Sequence, residues 1–246
     1  MRPHRLWSAR FLALRTFAER EFVLLVSIVI LTGSLWLFVA VTDEVREEEP
    51  HSTEKQIMRA LRRADDPSQP IGPSWIKPAS IELSALGSGS VLTLITAIAV
   101  GYLLMERNTA GAAFVLLATA GGAVLSQLLK AAFARDRPNV VPHLAAFTNT
   151  SYPSGHTMLS TIVYLTLAMV IAETLGARQR KLYVLAAALL IAFLVGVSRV
   201  VIGVHYPTDV LAGWTAGSVW ALLCLLAVMW LKRRGLLRPP DSNRKP

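Results

Sequence analysis

The sequence predicts an all-α integral membrane bundle of six transmembrane helices, with its chemistry gathered at one membrane face. Three observations carry this reading. Of the 246 residues, 53% are hydrophobic and 17% charged, with a mean hydropathy of +0.47; soluble domains carry less apolar and more charged composition. The apolar residues form long blocks rather than alternating patterns, and a run of about 18 or more is long enough to cross a bilayer as a helix. The basic residues are distributed unequally between the two sides that six spans would create.

The blocks are Phe22–Val41, Ser90–Met105, Gly111–Leu129, Thr157–Ala172, Leu182–Val204 and Val210–Leu231. The first follows a basic N-terminal stretch. Its apolar core is too long for a signal peptide and no small-x-small cleavage site follows it, so it reads as an uncleaved span. Small residues inside the blocks, such as Gly121-Gly122, fit close helix packing in lipid, and the Gly213/Gly217 pair reads as an intramolecular helix contact. Cys224 is the single cysteine, so no internal disulfide forms and the redox compartment stays undefined.

Lys and Arg counts orient the bundle. The N-terminal segment, residue 107, the 178–181 link and the tail 232–246 hold 15 of the 25 basic residues, all on one side. The loop 42–88 falls on the other side, with nine acidic residues against six basic ones. Both termini are therefore expected in the cytoplasm of a cell whose inner (plasma) membrane holds the protein. The net charge of +9 reads as basic flanks near anionic lipid. No nucleic-acid partner is expected, because the basic residues flank spans without interleaved aromatics.

The chain reads as a single domain, residues 1–246, in which 42–88 is an extracytoplasmic loop, 130–209 the motif-bearing region and 232–246 a cytoplasmic tail. Within the loop, "TEKQIMRALRRADD" places Ile57, Met58 and Leu61 on one helical face, with Arg59, Arg62 and Arg63 mostly elsewhere. This fits either a short helix at the membrane interface or a solvated connector with one amphipathic turn. Three prolines in "DPSQPIGP" then break it. An Asn149-Thr150-Ser151 glycosylation sequon reads as a chance match beside the charged cluster described next.

Lys130, Arg135, Arg137, His156, Arg199, His205 and Asp209 all map to the extracytoplasmic face. A charge at the bilayer centre costs roughly 2.5–3.5 kcal/mol. Lys130 or Arg199 alone would read as a snorkelling anchor. Four cations at one level repel one another unless an anion sits among them, and Arg and Lys are the side chains that grip phosphate. In "YPSGHTM", Ser154 is an N-cap candidate and Gly155 permits close backbone approach. A helix starting there offers an anion its N-terminal N–H groups. Pro207 suits the first turn of the last helix. A spacing of four lets the Asp209 carboxylate bond the His205 imidazole and fix its tautomer, as Asp does for His in hydrolytic triads.

So assembled, the chain resembles the type 2 phosphatidic acid phosphatase (PAP2) superfamily. Lys130, Arg137 and Pro138 match Lys-x6-Arg-Pro, Pro153 to His156 match Pro-Ser-Gly-His, and Ser198, Arg199, His205 and Asp209 match Ser-Arg-x5-His-x3-Asp. The resemblance implies a membrane lipid phosphatase with its active site at the extracytoplasmic face. It implies His205 as nucleophile, Asp209 as its support and His156 as the acid that protonates the leaving oxygen. Lys130, Arg137, Arg199, Ser154 and the Gly155 backbone would hold the phosphate oxygens. No metal and no cofactor are implied. The expected partners are a lipid phosphate in the outer leaflet and membrane lipids; the oligomeric state stays open. Arg135 exceeds the pattern and is expected at a second phosphate, which favours a polyprenyl diphosphate among lipid substrates such as undecaprenyl diphosphate, phosphatidylglycerol phosphate and phosphatidic acid. The competing reading is a non-enzymatic transporter or lipid-binding protein using the same cations. A transporter would distribute them along a path through the bilayer, whereas here they share one face.

The topology is testable with a membrane-impermeant thiol reagent on intact cells, Cys224 having been replaced. A cysteine at position 60 should label and one at position 180 should not; the reverse pattern would invert the orientation.

Overall fold

A computed structural model describes residues 4–46, 52–144 and 150–235, with only the backbone at 4–20 and 52. The sequon residue Asn149, the acidic residues 47–49 and the tail beyond 235 lie outside the described residues. Among the described residues there are eight helices and no strand. They are α1 (His4–Arg46), α2 (Ser52–Ala60), α3 (Ile76–Ala85), α4 (Gly89–Met105), α5 (Thr109–Phe133), α6 (Gly155–Thr174), α7 (Arg178–Ile202) and α8 (Pro207–Arg233).

Five stretches are each long and apolar enough to cross a membrane: Glu21–Arg46 of α1 and the whole of α5, α6, α7 and α8. Taken as one span, the bent pair of α3 and α4, which meet at 47°, gives a sixth. Ser88 starts α4 by accepting a hydrogen bond from the Val91 N–H at 3.4 Å. The mixed stretch that forms α3 gives no apolar block, so the sequence signals only the α4 part of this pair. The fifth block also ends earlier than its apolar run. Gly203, at φ +89°, caps α7 in the left-handed region, so Val204 leaves the helix.

Helix α6 lies at the centre, packed against α4, α5, α7 and α8, and α1 lies outside against α8. Half of the α6 span is buried, against 6% of the α1 span, which turns Phe22, Val29 and Trp36 outward. Lipid is as apolar as a helix surface, so helices associate there through close packing and small residues. The inner face of α6 is accordingly Thr157, Met158, Ser160, Thr161 and their neighbours. Gly213 and Gly217 of α8 seat against it. A Cβ at Gly213 would stand 2.9 Å from the Ser154 carbonyl oxygen, and one at Gly217 2.8 Å from that of Met158. The Gly213/Gly217 pair is thus the intramolecular contact that the sequence predicts.

Helix α2 differs from its expected face. Glu54, Met58 and Arg62 are buried while Ile57 is exposed. The face that turns inward carries Glu54 and Met58 at a spacing of four, and Arg62 follows just past the helix end. The reason is what it packs on: Met58 meets Val141 and Tyr206, Glu54 meets Thr208 at the start of α8, and Arg62 meets the Val201 carbonyl at the end of α7.

Because the atoms facing Gly213 are backbone of Ser154 and Met158 and the Cβ of Thr157, none at the end of a flexible side chain, Gly213→Val should overpack the contact and cost about 1–3 kcal/mol or more. Its melting temperature in detergent should fall and its activity with it. Gly33→Ala, where a Cβ meets nothing within 4 Å, should leave both unchanged.

Candidate active site

Four helix ends converge at one end of the bundle. Helix α5 brings Lys130 in its last turn and α7 brings Arg199 in its last turn. Ser154 immediately precedes α6. The α7–α8 link carries His205, and Pro207 opens α8 so that Asp209 falls in its first turn. The segment 134–154 crosses between these ends with Arg135, Arg137 and Ser151.

His205 and Asp209 are almost wholly enclosed, at 1% and 0% exposure. The His205 Nδ1 lies 3.4 Å from Asp209 Oδ2. The same oxygen accepts bonds from the Ser151 hydroxyl and from the Tyr206 N–H, the latter at 2.8 Å. Ser151 Oγ also lies 3.4 Å from His205 Nδ1. With its Nδ1–H turned to Asp209, the ring presents the Nε2 lone pair to Arg137, whose Nη1 stands 3.3 Å away. Burial pushes the His205 imidazolium down; Asp209 pulls it back up, Arg199 and Arg137 push it further down, and the balance is about 4. The ring is therefore neutral at pH 7.

The cations close round this nitrogen. Arg137 Nη1 also donates to the Val204 carbonyl at 2.8 Å. Burial holds this guanidinium below its ordinary value, with Asp209 opposing. Lys130 Nζ donates to the Thr150 carbonyl at 2.8 Å. Its stem passes over Gly155, where a Cβ would lie 3.2 Å from Lys130 Cε. Arg199 is 1% exposed, and its Nη1 donates to Ser84 Oγ of α3 at 2.6 Å. Lys130, Arg137 and Arg199 are all within electrostatic reach of His156, as is His205. Such a set of enclosed like charges fits a multiply charged anion with oxygens in several directions.

The first turn of α6 completes the cradle. Ser154 occupies the N-cap position, but its side chain makes no capping bond. Its Oγ instead accepts from the Thr157 hydroxyl at 2.8 Å, and its N–H donates to the Asp209 carbonyl at 3.0 Å. The start of α6 is thereby locked to the start of α8, and two positive helix ends face the same space.

The predicted residues Lys130, Arg137, Ser154, Gly155, His156, Arg199, His205 and Asp209 thus come together. Arg135 does not join them as expected. Its Nη1 donates to Asp209 Oδ1 at 2.6 Å and Thr208 Oγ1 at 2.9 Å, and its Nη2 to Glu54 Oε2 at 2.9 Å. The guanidinium also lies 4.4 Å over the Tyr206 ring. Two carboxylates hold it beside Asp209, and in this geometry it is turned to them rather than to the cradle. Glu54, Ser84 and Ser151 were not anticipated. A stripe of Glu54, Met58 and Arg62 was the one sequence signal for the first; single serines offer none.

The PAP2 superfamily sequence pattern matches residues 111–233. The chain belongs to the PAP2 superfamily. Among relatives of this superfamily, phosphatidylglycerophosphatase B of Bacillus subtilis (strain 168) is 34% identical over 147 residues, 58% of this chain and 70% of that protein. An undecaprenyl-diphosphatase of Sulfolobus acidocaldarius is 38% identical over 71 residues, 29% of this chain and 30% of that protein. The crystal structure of a transmembrane PAP2-type phosphatidylglycerolphosphate phosphatase from Bacillus subtilis superposes with a TM-score of 0.74 at 27% identity, covering 82% of this chain and 98% of that one. The named relatives are phosphatases of lipid phosphates, and the apolar helices of this PAP2 protein fit a multi-pass membrane protein.

The neutrality of His205 has a measurable consequence. In histidine-labelled protein its ring resonances should stay those of a neutral imidazole until the pH approaches about 4. The unfolded chain takes up this proton first, near the ordinary value of about 6.5. The group therefore withdraws stability as pH falls from there through its folded value. Titration of His205 near 6.5 would contradict the enclosed geometry.

Proposed function

We propose that this PAP2 phosphatase removes a phosphate monoester from a glycerophospholipid headgroup through a phosphohistidine on His205, at the extracytoplasmic side of the membrane. The observation that carries the mechanism is the orientation of the His205 ring, with Nδ1 turned to Asp209 and Nε2 facing Arg137. In the first step the Nε2 lone pair attacks phosphorus and the bond from phosphorus to the lipid oxygen breaks. His156 gives its proton to that oxygen. Asp209 stabilises the charge that develops on the His205 ring. In the second step His156 takes a proton from water, the water oxygen attacks phosphorus, and the P–N bond breaks to return the electron pair to Nε2. Arg137, Lys130 and Arg199 offset the charge on the equatorial oxygens throughout. Positioned cations are the main requirement of phosphoryl transfer.

The substrate reading rests on two supports. Arg135 is engaged by Asp209 and Glu54, which weakens the argument for a diphosphate built on this residue. The Bacillus relatives are named for phosphatidylglycerophosphate. The side of the membrane is read from the basic residues of the flanks and the 178–181 link.

Phosphate release from a panel of purified lipids, with EDTA present, tests both parts. Phosphatidylglycerol phosphate should be turned over at higher kcat/KM than undecaprenyl diphosphate; the reverse order would overturn the substrate reading. His205→Ala should lose several orders of magnitude in kcat, since binding energy cannot replace a nucleophile. His156→Ala, given a good leaving group, should accumulate acid-labile phosphoenzyme on rapid quench. Full activity in His205→Ala would end the phosphohistidine mechanism.

A further inference from the structure

Helix α2 and Arg62 just past its end lie outside the matched family region, residues 111–233, yet together they reach both ends of the link that carries His205. At one end, Arg62 Nη1 donates to the Val201 carbonyl at 2.6 Å, in the last turn of α7. At the other, Glu54 meets the first turn of α8. Its Oε1 accepts from Thr208 Oγ1 at 2.5 Å and from the Thr208 N–H at 3.3 Å. A cation thus stands at a helix C-terminus and an anion at a helix N-terminus, each the favourable sign for that end. Met58, between them, packs on Tyr206.

The contacts of Glu54 continue toward the reacting atom. Its Oε2 accepts from Arg135 Nη2 at 2.9 Å, and Arg135 Nη1 donates to Asp209 Oδ1 at 2.6 Å. The other oxygen of Asp209 is held by Ser151, the Tyr206 N–H and His205. Both carboxylate oxygens are therefore fixed, and with them the plane against which the imidazole lies. Glu54 has a second effect through charge. Burial lowers the Arg135 pKa, but Asp209 and Glu54 together more than reverse this, and the guanidinium stays firmly charged. Without Glu54 that full charge would bear on Asp209 alone and weaken its support of the His205 ring.

We propose that Glu54 is a positioning residue for catalysis, acting through Arg135 and Thr208 to fix the Asp209 carboxylate behind His205. The proposal rests on the reading of His205 as nucleophile. It makes Arg135 part of the same relay rather than a substrate contact.

The test uses the full chain in detergent, with kcat, KM, the phosphoenzyme formation rate and the melting temperature measured on phosphatidylglycerol phosphate and on undecaprenyl diphosphate. Glu54→Gln should lower kcat about 10- to 100-fold, the scale of one charge-assisted bond, with KM changed by less than about threefold. Arg135→Ala should lower kcat by the same factor or more, equally on the two lipids. In an Asp209→Asn background, Glu54→Gln should lower the residual rate by less than about twofold, because its route runs through that carboxylate; independent roles would multiply. Should Glu54→Ala fail to fold, Glu54→Gln, of nearly the same volume, carries the test. His205→Ala is run alongside. If it is inactive while Glu54→Gln keeps the parent kcat, the relay is overturned and the nucleophile stands. Multiplying losses in the Asp209→Asn background, or unequal losses of Arg135→Ala on the two lipids, overturn it as well. An active His205→Ala overturns the nucleophile and the relay together.

Discussion

Asp209 is a carboxylate with no exposure to solvent, and the architecture of the site follows from satisfying it. A buried charge left without partners is among the costliest features a fold can contain. Ser151, the Tyr206 N–H, His205 and Arg135 surround its two oxygens. These partners come from the segment after α5 and from the α7–α8 link, so meeting the need of one residue draws those elements into a fixed relation. The ring of His205 inherits that relation. Its tautomer and its direction are consequences of where Asp209 finds its donors.

The scaffold supports this through backbone rather than through large side chains. The Ser154 N–H to Asp209 carbonyl bond joins α6 to α8 at the level of the chemistry. Gly213 and Gly217 keep the same two helices in contact below it. In lipid, where apolar burial supplies little drive for association, shape at the backbone level sets the distance between the anion cradle and the nucleophile. Polar residues tolerated on the inner face of α6 are those small enough to permit that approach.

The motif residues were legible because their spacing along the chain carries their geometry. Four residues separate His205 from Asp209, and Pro207 announces the helix start between them, so their contact could be read directly. The six apolar blocks were legible for a similar reason: span length is a property of consecutive residues. Ser84, Ser151 and Glu54 were not, since each meets its partner across a large gap and is of a common type. Arg135 was visible as a surplus cation, but its direction depends on Glu54, which sequence alone left on an apparent surface helix. The bent α3–α4 pair escaped because Ile76–Ala85 mixes polar and apolar residues without a period.

The outermost helix has its own place in this arrangement. At the site end, Thr42 Oγ1 and Tyr152 OH lie 2.6 Å apart, and the Tyr152 ring packs between Phe38 and Phe133. At the far end of the span, Glu21 meets Arg233 in an ion pair at 2.8 Å between half-exposed side chains, a kind of contact that holds weakly. A helix adapts to a thicker or thinner bilayer by changing its tilt. Here the site end of α1 is fastened among aromatic rings, whereas the ion pair at the far end is screened by water, so a change of tilt would disturb the Tyr152 end least. A bilayer of another thickness would then move the Glu21 end of α1 more than the end beside the reacting groups.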